Sequence, residues 1–527
     1  MSASEHPAPR VRGPRALARV NARSVAVEVW VLVALVVLAA VIRILTIDNQ
    51  SFWTDEALTA YEAHLPFGAM LNTIVHVETT PPLYFVLVWG WAHVFGTSEV
   101  ALRSISTLAG IAIVPIAYLS ARELVSRWAG VLAAAFVAVN PFMIWYSQEA
   151  RAYMLLAALT GASFLWFIRA RRDASRRNLI WWVVFSGLAL MTHFFAGFAV
   201  APEAIWLLWI SRNRTVVCAV AATAVVQAAM APFAFIDTSH GVGWIAAVPR
   251  TRRVADTALE WAVSLLLRRA TIPEGLIGAA VFLSVVALLL ALAGDRRTRE
   301  GAGVAAVIAG SVILVPLALG FIGQDYFFSR NVIPAFIPLV TVAAAACVVP
   351  RARLLGGAFA VVLLAVFSVA ATQVQTHAYL QRPDWRAVAR ALGPATVPRA
   401  ILAADGTTAD PLKIYLPNVT WVQLHDRRVR IGEVDVVGAS KRLRLASGGA
   451  LAGTASTPPR FGSSPPRSIS PRGAQLLTRL RVDNWIIARF ALDHPVPISI
   501  NGLTAIASRF FRRTPRKLLV FVQQPGR

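Results

Sequence analysis

Charge is scarce in this chain. Of 527 residues only 15% are Asp, Glu, Lys or Arg, while 57% are hydrophobic. A soluble protein of ordinary composition carries about 25% charged residues. Lysine is rarer still and occurs only at Lys413, Lys441 and Lys517. Cysteine is confined to Cys218 and Cys347, each inside an apolar run with no metal partner nearby, so both read as small core residues. No nucleotide-binding glycine pattern, nucleophile elbow or HExxH is present. The formal charge of +24 raises nucleic acid as a partner. Its distribution excludes it, because the arginines gather in short clusters between greasy segments, where they set membrane topology.

What is present is a series of apolar runs of roughly 18–24 residues, the length a helix needs to cross a bilayer core. The chain therefore reads as an α-helical polytopic membrane protein. Arg10, Arg12, Arg15, Arg19 and Arg23 precede the first run. That run is too long for a cleaved signal and closes on no small-residue cleavage site, so it reads as an uncleaved span with a cytoplasmic basic N-terminus, residues 1–23. Placing the later basic clusters in the cytoplasm gives eleven spans. They fall at 24–47, 100–121, 128–146, 151–169, 179–193, 195–210, 215–236, 273–293, 302–322, 331–349 and 354–372.

This path sends four segments outward together: 48–99, 146–151, 237–272 and 324–330. Within the first, 81–96 reads as a helix in the outer membrane surface, flanked by interfacial aromatics. Within the third, 249–269 reads as a surface helix, with a mobile loop as the alternative. Residues 373–527 are more polar and read as an extracytoplasmic α/β domain. Its helix is expected at 383–392 and its strands at 401–405, 419–424, 484–490 and 517–524, with a disordered insertion at 453–473.

The carboxylates concentrate in the first two outward segments. SFWTDEALTAYE (51–62) reads as a helix capped by Thr54, with Asp55, Thr59 and Glu62 on one face. Glu78 follows in the same loop. In SQEARAY (147–153), Glu149 and Tyr153 share a helical face beside Arg151. An acid at a membrane boundary is costly unless it serves a cavity or a partner. A carboxylate suits general-base work on an attacking hydroxyl, and an arginine suits a phosphate leaving group. Arg330 is a second phosphate-binding candidate, with snorkelling as its bland alternative. His193 and His240 read first as ordinary polar side chains.

FWTDEA (52–57), TPPLYF (80–85), YSQEARAY (146–153) and SRNVIPAFIPL (329–339), in this order and spacing, resemble the GT-C glycosyltransferases that use polyprenyl-phosphate sugars. The likeness is greatest to family 39, which holds protein O-mannosyltransferases and the lipid A aminoarabinose transferase, and it covers about residues 25–390. The resemblance implies Asp55 as catalytic base with Glu56 beside it. It implies Glu149, Arg151, Tyr153 and Arg330 around the donor phosphate, and places Glu78 where the lipid A enzymes carry a lysine. It implies inverting transfer of a sugar, mannose being the association, to a hydroxyl on an envelope glycan, glycolipid or protein. Members differ in metal use; a divalent cation such as Mg or Mn would fall at Asp55 and Glu149. A polymerase or ligase of lipid-linked glycans, and a non-enzymatic lipid or glycan transporter, are the competing readings.

Overall fold

The computed structural model describes residues 14–78, 80–235, 243–263, 270–404, 409–421, 428–439, 468–469, 474–482, 485–499, 502–503, 506, 510 and 518–525. The helices in chain order are α1 (Pro14–Leu45), α2 (Thr54–His64), α3 (Phe67–His76), α4 (Leu83–Phe95), α5 (Glu99–Leu124), α6 (Arg127–Val139) and α7 (Pro141–Ser147). Next come α8 (Tyr153–Arg172), α9 (Arg176–Thr192), α10 (Gly197–Ile210), α11 (Arg214–Phe235), α12 (Gly243–Ala246) and α13 (Arg250–Val263). The series ends with α14 (Ile272–Leu288), α15 (Arg296–Leu319), α16 (Phe336–Cys347), α17 (Arg353–Thr376), α18 (Trp385–Leu392) and α19 (Leu412–Tyr415).

Among the described residues, seven helical segments are long and apolar enough to cross a membrane: 27–45, 99–124, 153–172, 214–233, 272–293, 296–322 and 350–376. The spans expected at 179–193, 195–210 and 331–349 fall on the shorter helices α9, α10 and α16, which are not among these seven, and the span expected at 128–146 is broken. Its halves α6 and α7 meet at 59°. Asn140 and Pro141 cause the break: the proline stands at the first helical position of α7, and Asn140 Oδ1 accepts from Met143 N at 3.0 Å. The α5, α6, α8 and α16 helices form the main buried core. Large apolar side chains on α14 and α17, such as Val281, Leu354 and Val361, are exposed, as lipid-facing positions must be. Cys347 is buried as expected; Cys218 instead lies on the exposed face of α11.

A second, smaller core joins α2, α3 and α4 through Phe52, Ala60, Met70, Ile74, Tyr84 and Phe85, with Leu102, Ala150 and Ala152 against it. The α2 helix starts after Trp53, and not on a Thr54 cap. Thr54 is its first residue and its hydroxyl has no hydrogen-bond partner among the described residues. Asp55 and Glu56 fill the first turn, where backbone N–H groups favour negative charge. Leu65, held extended ahead of Pro66, ends the helix.

The tail is a seven-stranded sheet in the order β2-β7-β1-β3-β6-β5-β4. The strands are β1 (Arg399–Ala404), β2 (Val419–Trp421), β3 (Arg428–Ala439), β4 (Ser468–Ile469), β5 (Ala474–Val482), β6 (Trp485–Ser499) and β7 (Leu518–Gln523). The β1–β3 pair is parallel and the other pairs are antiparallel. Helix α18 and the four expected strand sites are present, while β3, β4 and β5 are additions, β4 lying within the insertion expected to be disordered. Apart from β4, the 453–473 insertion lies outside the described residues.

Candidate active site

Four chain segments meet at one end of the helical bundle: the start of α2, the 147–153 turn, the 325–332 turn with α13, and the 380–386 junction that runs into the start of α18. Glu56 binds the first of these to the bundle. Arg103, on α5, donates from Nε to Glu56 Oε1 and from Nη2 to Oε2, both at 2.7 Å. Its Nη1 also bonds Ile47 O at 3.0 Å and Gln50 O at 2.7 Å. Ala150 N donates to Glu56 Oε1 at 2.8 Å, and Arg382 Nη1 lies 3.2 Å from Oε2. Burial acts to raise the Glu56 pKa, but Arg103, and then Arg382 and the Ala150 N–H, hold it below the ordinary range. This carboxylate is fully buried and met by fixed donors on both oxygens.

Arg151 and Glu78 form a second buried pair, with Nη1 to Oε1 at 2.6 Å and Nη2 to Oε2 at 2.8 Å. Arg151 Nη1 also reaches Thr59 Oγ1 at 3.3 Å and the Asp55 carbonyl at 3.4 Å. The guanidinium expected to hold donor phosphate is thus engaged by an internal carboxylate. Glu78, an anion fixed to Arg151, offers a phosphate no positive charge.

Glu149 Oε2 accepts from Arg382 Nη2. Its Oε1 is buried without a hydrogen-bond partner among the described residues. Burial raises its pKa, Arg382 works against that, and Glu56 adds to it.

Asp55 differs from these three acids. Its carboxylate is 24% exposed, and Arg330 Nη1 lies 3.5 Å from Oδ2, an ion pair longer than a firm hydrogen bond. Arg330 itself is buried and lies over the Tyr153 ring, 5.1 Å from its centroid. Tyr153 faces Tyr146 at 5.6 Å and His193 at 5.7 Å. His193 is occupied locally: Phe195 N donates to Nδ1 at 3.3 Å, and the ring stacks on Phe195. His240 lies outside the described residues.

The α13 helix closes this end of the site. Asn140 Nδ2 donates to Trp261 O at 2.9 Å, and Trp261 Nε1 to Ser329 O at 3.2 Å. Ser329 Oγ donates to Glu260, whose pKa burial pushes up to about 7. Arg253 Nη2 pairs with Asp325 at 2.5 Å. The described part of this expected surface helix is thus packed against the bundle, with Ala255, Trp261 and Val263 buried.

Sequence reasoning missed Arg103, Arg382 and Glu260. Arg103 was legible as a lone arginine inside an apolar span, the signature of an internal partner. Arg382 follows the last span with no motif around it. Among the described residues no three His, Cys, Asp or Glu side chains are placed to hold a metal ion. Asp55 and Glu149 face Arg330 and Arg382 respectively, so arginine side chains stand at the position expected for a divalent ion.

Residues 79–236 match the family described as dolichyl-phosphate-mannose-protein mannosyltransferase. The apo crystal structure of ArnT from Cupriavidus metallidurans shares the fold over 88% of this chain and 98% of its own, with a TM-score of 0.51 and 13% identity. ArnT bound to undecaprenyl phosphate is similar at a TM-score of 0.48 and 15% identity, over 87% and 97% of the two chains. The Saccharomyces cerevisiae protein O-mannosyltransferase Pmt1-Pmt2 complex, bound to the sugar donor, is similar at a TM-score of 0.32 and 19% identity, over 43% and 36%. No curated protein matches the sequence. The family match over 79–236 and the shared fold both support a membrane glycosyltransferase. The match and the fold agree with the GT-C resemblance read from the sequence motifs and give the transporter reading no support.

Proposed function

We propose that the protein transfers a single sugar, with mannose the first candidate, from a polyprenyl-phosphate donor to an acceptor hydroxyl, with inversion and with Asp55 as general base. The observation that carries this reading is the contrast among the four acids. Glu56, Glu78 and Glu149 are buried in ion pairs, whereas Asp55 is partly exposed and only loosely paired with Arg330. A base must be reachable by the proton it takes.

In this mechanism the donor phosphate draws the Arg330 guanidinium away from Asp55. The freed carboxylate accepts the proton of the acceptor hydroxyl. The acceptor oxygen bonds to the anomeric carbon from the face opposite the phosphate, the carbon–phosphate-oxygen bond breaks, and lipid phosphate leaves paired with Arg330. Glu56 and the Arg151–Glu78 pair act as positioning groups that hold α2 and the 147–153 turn against each other. Preorganised charge supplies much of the rate in such a displacement. With the basic clusters in the cytoplasm, the site face lies on the outer side of the cell membrane. The N-terminus is then cytoplasmic and the sheet domain extracytoplasmic. The acceptor is an envelope glycan, a glycolipid or a protein.

The test is transfer of labelled mannose from polyprenyl-phosphate-mannose by purified protein in vesicles supplied with envelope acceptors. The product linkage is then assigned by NMR. An anomeric configuration opposite to the donor's is expected. Retention would overturn single displacement. Transfer of whole oligosaccharides in place of one sugar would favour the polymerase or ligase reading.

A further inference from the structure

We propose that Arg382 is a positioning residue for the transfer reaction, through which the C-terminal domain holds the Glu149 carboxylate in place. This rests on the site reading above.

The junction carrying Arg382 is fixed by the first loop. Its own N–H donates to Gln50 Oε1 at 3.0 Å. Ser51 Oγ donates to Pro383 O at 2.9 Å and accepts from Trp385 N at 3.0 Å. Arg386 pairs with Asp48 at 2.7 Å. From within the sheet domain, the Tyr415 hydroxyl accepts from Phe52 N at 2.7 Å and donates to Glu99 at 2.5 Å. Residues 48–53, immediately ahead of Asp55, are therefore clamped by the domain that follows the last span.

The Arg382 side chain runs inward from this clamp. It passes between two rings, with its guanidinium carbon 5.1 Å from the Trp53 centroid and 4.6 Å from that of Trp145. It ends on Glu56 and Glu149. The two carboxylates depend on it unequally. Glu56 keeps both bonds to Arg103 and the Ala150 N–H without Arg382. Glu149 has Arg382 as its hydrogen-bond donor among the described residues, and its other oxygen has none. Removing one partner of a buried pair leaves an uncompensated charge. Glu149 also acts on Asp55 and Arg330 through its charge, so its displacement changes the field at the proposed base and phosphate ligand.

The experiment compares the full-length wild type with Arg382→Gln, Arg382→Lys, Glu149→Gln and the Arg382→Gln/Glu149→Gln double variant. Two readouts are taken: kcat and KM for labelled mannose transfer, and thermal unfolding in detergent. Arg382→Gln should lower kcat by about 100-fold, the scale of a misplaced site group, with KM little changed. Arg382→Lys should recover part of that loss. In the Glu149→Gln background the Arg382→Gln change should add little, because the charge it balances is gone. Near wild-type kcat in Arg382→Gln overturns the proposal, as does an undiminished penalty in the double variant or a lysine that rescues nothing. If the wild type transfers no mannose, the donor assignment fails separately. The unfolding cycle then decides this proposal: coupled melting changes support it, and additive changes overturn it.

Discussion

Glu62 sits two turns along α2 from Asp55, buried, with neither carboxylate oxygen hydrogen-bonded to any described residue. Burial raises its pKa, neighbouring Glu78 raises it further, and Arg151 works against both, leaving it at about 9. A carboxylate with a folded pKa above its unfolded value of about 4.5 binds more protons folded than unfolded between those limits. Glu62 therefore costs the protein stability progressively as pH rises from about 4.5 to about 9. Glu62→Gln should raise the melting temperature, more at pH 8.5 than at pH 5. An equal gain at both values would mean that the carboxyl does not titrate in this window. Glu56 predicts the opposite. Glu56→Ala strands the fully buried Arg103, a loss of about 3–5 kcal/mol, read as lost melting temperature or as protein missing from the folded fraction. Asp55 stood out in the sequence as a candidate because acids are few and it falls in an ordered set of motifs. The division of labour among the acids did not, because Arg103 and Arg382 come from distant segments.

At the level of elements, the broken span is the feature on which the site is built. The α7 half turns away at Asn140–Pro141 and ends in Ser147, so the 147–153 turn reaches the start of α2. Arg43 of α1 secures the break, bonding Ala138 O at 3.0 Å, Val137 O at 3.1 Å and Ser147 Oγ at 3.0 Å. Gly110 of α5 allows this approach. A Cβ there would stand 2.0 Å from Ser147 Oγ and 3.1 Å from Arg43 Nε. Gly110→Ala should destabilise the protein by about 1–3 kcal/mol through overpacking, measured by thermal unfolding. No change would mean that α5 and α7 part easily. The Asn-Pro pair was visible in the sequence, yet the apolar run around it read as one continuous helix. β3 and β5 escaped notice for another reason. Their apolar alternation is diluted by charge, as in RVRIGEVDVV, and each pairing shifts register at a bulge near Gly432 and near Leu477. A bulge resets the two-residue period on which a strand reading depends.

For the whole molecule, the helical bundle and the sheet domain meet at the site. The bundle supplies Arg103, Arg151 and Arg330, and the junction to the sheet supplies Arg382. Helical membrane class and an α/β tail follow from hydropathy alone, which is why they were legible. The docking of the tail onto residues 48–53 is not, because it rests on Tyr415, Trp385 and Ser51, residues with no motif between them. The most direct measurement is label transfer from polyprenyl-phosphate-mannose by wild type and Asp55→Asn, with both proteins checked for folding by size exclusion and melting. Transfer by the wild type and its loss, by at least about 100-fold, in a folded Asp55→Asn protein is the predicted result. Equal transfer by both would contradict Asp55 as the base.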